Sequence, residues 1–122
     1  MRMIVTSLLT LHNQVKILHW QTKSYAQHQA LGGIYDELTG LIDEFVEVFM
    51  GKYGRIKADG SFGLKLENYS DESPSSVADK YVEYLTNELP KSLDVEKDTD
   101  LLNIRDEMLG QLNKLKYLLT LR

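Results

Sequence analysis

The three histidines of this chain, His12, His19 and His28, all fall in its first quarter, and the carboxylates Asp36, Asp43 and Glu47 follow within the next twenty residues. His12 and His19 are seven residues apart, so on a helix they share a face, beside a stripe that holds Leu8 and Val15. With His28 at zero and about 100° per residue, Asp43 falls near ~60°, Asp36 near ~80° and Glu47 near ~100° on a second helix. Glu37 and Glu44 lie at roughly 180° and 160°, away from that row. His28, Asp36, Asp43 and Glu47 thus form one polar edge beside an apolar face. Imidazole and carboxylate ligands on facing helices suit iron, manganese or zinc. The bland alternative is a set of solvated acids with packed, hydrogen-bonded histidines. The absence of cysteine excludes a thiolate metal site, a thiol nucleophile and a disulfide framework. No Glu-x-x-His occurs, and no histidine follows His28. This disfavours a di-iron site built inside one bundle from that motif.

Helical periodicity supplies the elements that must position these groups. Ile4, Leu8, Leu11, Val15 and Leu18 make one stripe. Leu31, Leu38, Ile42, Phe45 and Phe49 make a second, ended by Gly51 and Gly54. Val77, Tyr81, Tyr84 and Leu85 form a third between Pro74 and Pro90, with Ser73 as N-cap. Leu101, Ile104, Met108, Leu112, Leu115 and Leu119 form the fourth, capped by Asp98 or Thr99. The predicted helices span 2–22, 25–51, 74–89 and 99–121, with no alternating strand pattern. Residues 52–73 are the place for an unpredicted short helix or hairpin. Four helices with short first and last links and a long middle link predict an all-α four-helix bundle, residues 1–122 forming one domain. One long crossover between helices two and three is the connectivity of ferritin-like folds; an up-down bundle with an ordinary long loop is the alternative.

A net charge of -4 argues against a dedicated nucleic-acid binder. Lys52, Arg55 and Lys57 read as a solvated patch. No apolar run approaches the ~18 residues of a membrane span, and the N-terminal stretch lacks a signal-peptide pattern. A cytoplasmic protein without membrane partners is expected. Leu9, Ile17 and Trp20 give the first helix a second apolar surface, which calls for a partner outside the bundle: a homo-oligomer, as a dimer or a larger shell. Gly32 and Gly33 fall inside the second helix, where each costs about 1 kcal/mol relative to alanine.

His19-Trp20, then His28, then Asp43-Glu44-Phe45-Val46-Glu47 resembles the Dps-like branch of the ferritin superfamily, in the compact form that tailed bacteriophages encode. The resemblance implies an iron-binding protein, with Fe(II) oxidised by dioxygen or peroxide at a site shared between subunits. It implies His19 and His28 as ligands from one subunit, and Asp43 and Glu47 from its neighbour across a two-fold axis. The sequence departs from the family in two ways. The two histidines are only nine residues apart, and Gly32 stands where the family has an acid four residues after the second histidine. Asp36, one turn farther on, is the candidate substitute. A non-catalytic bundle that serves as an oligomeric or partner-binding module is the second reading.

Overall fold

The computed structural model describes residues 2–58 and 63–122. Four helices follow in order: α1 (Arg2–Gln21), α2 (Tyr25–Tyr53), α3 (Pro74–Glu83) and α4 (Thr99–Leu118). No strand occurs among the described residues. Ser73 caps α3 as predicted, its side chain accepting from the Ser76 N–H, and Ser24 caps α2 in the same way, accepting from the Gln27 N–H. Gly51 lies within α2, and the helix ends at Gly54, whose φ of 96° lets its N–H return to the Met50 carbonyl at 2.8 Å.

All four predicted stripes are buried. Leu8, Leu11, Val15 and Leu18 meet Leu31, Leu38 and Phe45 of α2, Val77 and Leu85 of the third segment, and Leu101, Met108, Leu112 and Leu115 of α4. Ile34 joins this core, whereas Tyr84 and Leu119 sit at its margin. Trp20 remains 65% exposed, and Leu9 and Ile17 are half-buried, so the described residues leave the second apolar surface of α1 only partly covered.

The third helix departs from expectation at its end. After Glu83 the chain widens into a π turn (Tyr84–Glu88) and then tightens into a 3-10 turn (Leu89–Ser92). Pro90 explains this, because its ring clashes with the carbonyl four residues back and it has no N–H to donate. The Leu89 N–H reaches back to the Tyr84 carbonyl instead. That frees the Leu85 carbonyl, which accepts from the Arg105 guanidinium at 3.0 Å. The α4 helix stops at Leu118, three residues short of the predicted end.

Contacts fix the helix directions. His12 faces Tyr35 and Thr39, and His19 faces His28, so α1 and α2 are antiparallel. Lys52 meets Asp98 and Asp100 at one end of the α2–α4 pair, and residues 24–27 share a cleft with 119–122 at the other. Lys116 pairs with Asp79, and Arg105 with Leu85, so α3 runs against α4. The order is therefore up, down, down, up, and the α2–α3 link must traverse the bundle.

Two glutamines on one face of α1 hold that link. Gln14, 3% exposed, donates to the Glu67 carbonyl at 2.9 Å and accepts from the Glu67 N–H at 2.7 Å. Gln21 accepts from the Tyr69 N–H and donates to Asn68 Oδ1. The described part of segment 52–73 contains neither a new helix nor a hairpin beyond the two α2 residues at its start, Lys52 and Tyr53; a turn occupies 69–71. At the opposite end, Asp98 is buried and accepts from the Tyr53 hydroxyl (2.5 Å), Lys52 Nζ (2.9 Å) and the Asp94 N–H (2.8 Å). Asp98 stands at the N-cap position of α4, but its side chain serves this clasp and does not cap the helix. Lys52, first grouped with Arg55 and Lys57 in a surface patch, is committed to it.

Candidate functional site

At the joint between α1 and α2 the imidazoles of His19 and His28 stack, with ring centroids 3.9 Å apart and planes 16° from parallel. Each ring also holds the other residue's backbone. His19 Nδ1 lies 2.7 Å from the His28 carbonyl, and His28 Nδ1 lies 3.0 Å from the His19 carbonyl. A carbonyl only accepts, so both Nδ1 atoms must carry protons. In the neutral rings both lone pairs are then on Nε2. Such Nδ1–H bonds to carbonyls commonly orient metal-binding histidines.

The same joint explains Gly32. A Cβ at that position would lie 2.8 Å from His19 Cε1 and 3.2 Å from its Nδ1. The His19 ring occupies the space that any side chain would need. The acid that the resemblance leads one to expect there is incompatible with this ring placement. Gly33, by contrast, has open space where a Cβ would go.

An open cleft of about 330 Å³ borders the pair, and Asp36 and Lys16 line it with the two histidines. The structure thus stacks His19 on His28 and places Asp36 along the same cleft. It does not bring Asp43 and Glu47 to them within one chain. Fifteen and nineteen residues after His28 on one helix, they lie roughly 22 and 28 Å farther along its axis. Both are exposed. Among the described residues, no group of three or more His, Asp or Glu side chains converges to hold a metal ion. One chain therefore offers a preset imidazole pair with one nearby carboxylate, and a complete ligand set needs donors from elsewhere.

Asp43 instead sits near His12. That imidazole stacks on Tyr35 at 4.0 Å and 8°. The Thr39 hydroxyl donates to the Tyr35 carbonyl at 2.9 Å, so its oxygen accepts from His12 Nε2–H at 2.8 Å. Burial pushes the His12 pKa below its ordinary value, and the Asp43 carboxylate opposes that shift. Sequence reasoning placed His12 on the His19 face, but it missed this packing with Tyr35. It also missed Lys16, whose Nζ lies 4.3 Å from the Tyr35 ring centre and 5.4 Å from that of Trp20. An i, i+4 spacing from Lys16 to Trp20 was the available signal.

Charge is divided between these two helices. Residues 1–35 contain Arg2, Lys16 and Lys23 and no acid, whereas residues 25–51 contain Asp36, Glu37, Asp43, Glu44 and Glu47 and no Lys or Arg.

Residues 19–119, which include every candidate ligand, match a family of unknown function, DUF5856. The chain belongs to DUF5856. A 14.6 kDa uncharacterized protein from the mobD-ri intergenic region of Enterobacteria phage T4 is 51% identical over 37 residues. That match covers 30% of this chain and 29% of the phage protein. A phage relative agrees with the bacteriophage resemblance read from the sequence. No solved structure matches this DUF5856 member. No helix among its described residues is long and apolar enough to cross a membrane.

Proposed function

We propose that this DUF5856 member is a ferritin-like, Dps-like iron-binding protein that takes up Fe(II) at a site shared between two copies of the chain. The observation that carries the reading is the stacked His19–His28 pair, with each Nδ1 tied to the other residue's carbonyl and each Nε2 left as the donor atom. The up, down, down, up helix order supports it, as this is the connectivity of ferritin-like folds with one long crossover. The incomplete ligand set of one chain also fits a shared site. An antiparallel pairing of two α1–α2 faces would set the acid-free α1 of one copy against the acidic stretch 36–47 of α2 of the other. Asp43 and Glu47 of the second copy would then approach His19 and His28, with Asp36 at the edge. The exposed Trp20 would be covered in the same contact.

At such a site the carboxylates supply hard anionic oxygens and the imidazoles fix geometry, a set suited to iron and compatible with manganese or zinc. The reaction would be iron oxidation: two Fe(II) ions give one electron each to hydrogen peroxide, which takes two protons and leaves as two waters. The second reading, a non-catalytic oligomeric module, is favoured by Gly32, which leaves the cleft one acid short.

The experiment is an iron(II) titration with elemental analysis, comparing wild type with a His28→Ala, Asp43→Ala double variant, alongside light scattering at micromolar concentration. A shared site requires an oligomer, and iron stoichiometry must fall in the double variant. Equal iron in both proteins would remove the site. A 14 kDa species would remove the shared geometry. Glu47→Gln should weaken metal binding, while Glu44→Gln, on another side of α2, leaves it nearly intact.

A further inference from the structure

Lys16 introduces a positive charge into a cleft otherwise suited to a cation. Its half-buried side chain lines the cleft that holds His19, His28 and Asp36. No described carboxylate lies within ion-pair distance of its ammonium group, Asp36 included, and the group forms no hydrogen bond to another described residue. The faces of Tyr35 and Trp20 hold it instead, at 4.3 and 5.4 Å. Aromatic faces attract a cation through the ring quadrupole but leave its N–H donors unused and its charge uncancelled. The floor beside it is Gly32 and Gly33, and Gly33 opens onto free space. A metal ion on the imidazole pair would thus share the cleft with a like charge. An oxyanion between the two would remove that repulsion and satisfy the ammonium donors.

We propose that this cleft binds a tetrahedral oxyanion, of which inorganic phosphate is the probe, on the Lys16 ammonium beside the His19–His28 pair. The assignment deepens the metal-site reading by naming the counter-ion of that cleft, and rests on it only for the metal that the anion would accompany. Lys16 is on this account a binding residue for the anion. The aromatic pair aims the ammonium while the anion is absent.

The test uses metal-free protein titrated with inorganic phosphate at fixed ionic strength. Trp20, the chain's only tryptophan, reports by fluorescence, and the Lys16 side chain reports by NMR. Saturable changes at both probes are expected, because the bound anion draws the ammonium away from the indole. Lys16→Gln should weaken binding about tenfold, the scale of one charge-assisted contact, while Lys16→Arg retains it. Lys23→Gln, outside the cleft, should change nothing. Unchanged affinity in Lys16→Gln, or no saturable Lys16 response in wild type, would overturn the proposal. The wild-type NMR signal decides even where a variant fails to fold. A short thymidine oligonucleotide separates the sources of phosphate: if it binds at Lys16 more tightly than free phosphate at equal phosphate concentration, the free-oxyanion assignment fails. Zn(II) titration of the same samples keeps the two readings apart. Phosphate binding without Zn(II) binding sinks the metal site alone, and Zn(II) binding without a phosphate response sinks the oxyanion alone.

Discussion

Alanine at Gly32 and alanine at Gly33 should move stability in opposite directions, although the two positions are neighbours in one helix. Both substitutions gain helix propensity, about 1 kcal/mol each. At Gly33 nothing opposes the gain, since no atom lies within 4 Å of the new Cβ. At Gly32 the new Cβ meets His19 Cε1 at 2.8 Å. Carbon atoms in contact prefer roughly 3.5–4.0 Å, so the ring must move by most of an ångström. The ring is pinned by its stack on His28 and by its 2.7 Å bond to the His28 carbonyl. Losing the hydrogen bond costs about 1 kcal/mol, and losing the stack about 0.5–1.5 kcal/mol. Gly32→Ala should therefore end about 0.5–1.5 kcal/mol less stable, and Gly33→Ala about 1 kcal/mol more stable. For a chain of this size each kcal/mol shifts Tm by roughly 3–6 °C. Urea denaturation with an unchanged m-value would give the two numbers cleanly. Imidazole NMR should show a changed His19 environment in Gly32→Ala and an unchanged one in Gly33→Ala. Equal stabilisation by both alanines, with His19 signals unmoved, would refute the placement of that ring over Gly32.

The clasp at the other end of the bundle predicts acid sensitivity. The Tyr53 hydroxyl, the Asp94 N–H and Lys52 hold Asp98 down at about 2, below its unfolded value of 3.8. Its contribution is thus fully present above the unfolded value and is lost as pH falls towards 2, and Asp98→Asn should flatten that limb of a stability–pH curve. His12 also has a lowered pKa, so the unfolded chain binds the proton more readily, and its contribution is present above pH 6.5 and lost as pH falls to the folded value. NMR titration should place the His12 midpoint below 6.5, and Asp43→Asn should lower it further. Gln14→Leu removes both bonds to Glu67 and leaves two backbone groups unsatisfied, at a cost of about 1–3 kcal/mol. Faster hydrogen exchange at Glu67 and Tyr69 would check it, and unchanged protection there would count against the anchor.

Periodicity made the helices legible, because stripes such as Leu8, Leu11, Val15 and Leu18 fit only one buried face. What escaped it depends on contacts between elements. Pro90 marked the end of the third helix, but the π turn before it also needs Arg105, twenty residues past Leu85, to take the freed carbonyl. Gln14 and Gln21 look like ordinary polar helix residues, and only the path of the crossover gives them a task. Around the candidate site, the resemblance led one to expect His19 and His28 together in one subunit, and their rings do stack. The meaning of Gly32 was not foreseen. From sequence it is an absent acid, whereas in the fold it is the space that the His19 ring occupies. Asp43 and Glu47 share a helix edge with His28, as the wheel required, but a wheel has no axial coordinate, and the rise along α2 separates them.

The stitching of the crossover to α1 also decides how this polypeptide divides. Its two anchors, Glu67 and the Asn68–Tyr69 pair, precede α3, while their glutamine partners sit on α1. A break introduced near Lys57 would give one piece carrying α1 and α2 and a second carrying the strap with α3 and α4. The strap would then be a recognition tail, laying its backbone against two amide side chains as the second piece docks its apolar stripes. The bundle is in this sense a covalently joined complex of two helical hairpins. It is suited to fragment complementation, in which the glutamine row sets the alignment of the halves and the leucine stripes hold them together.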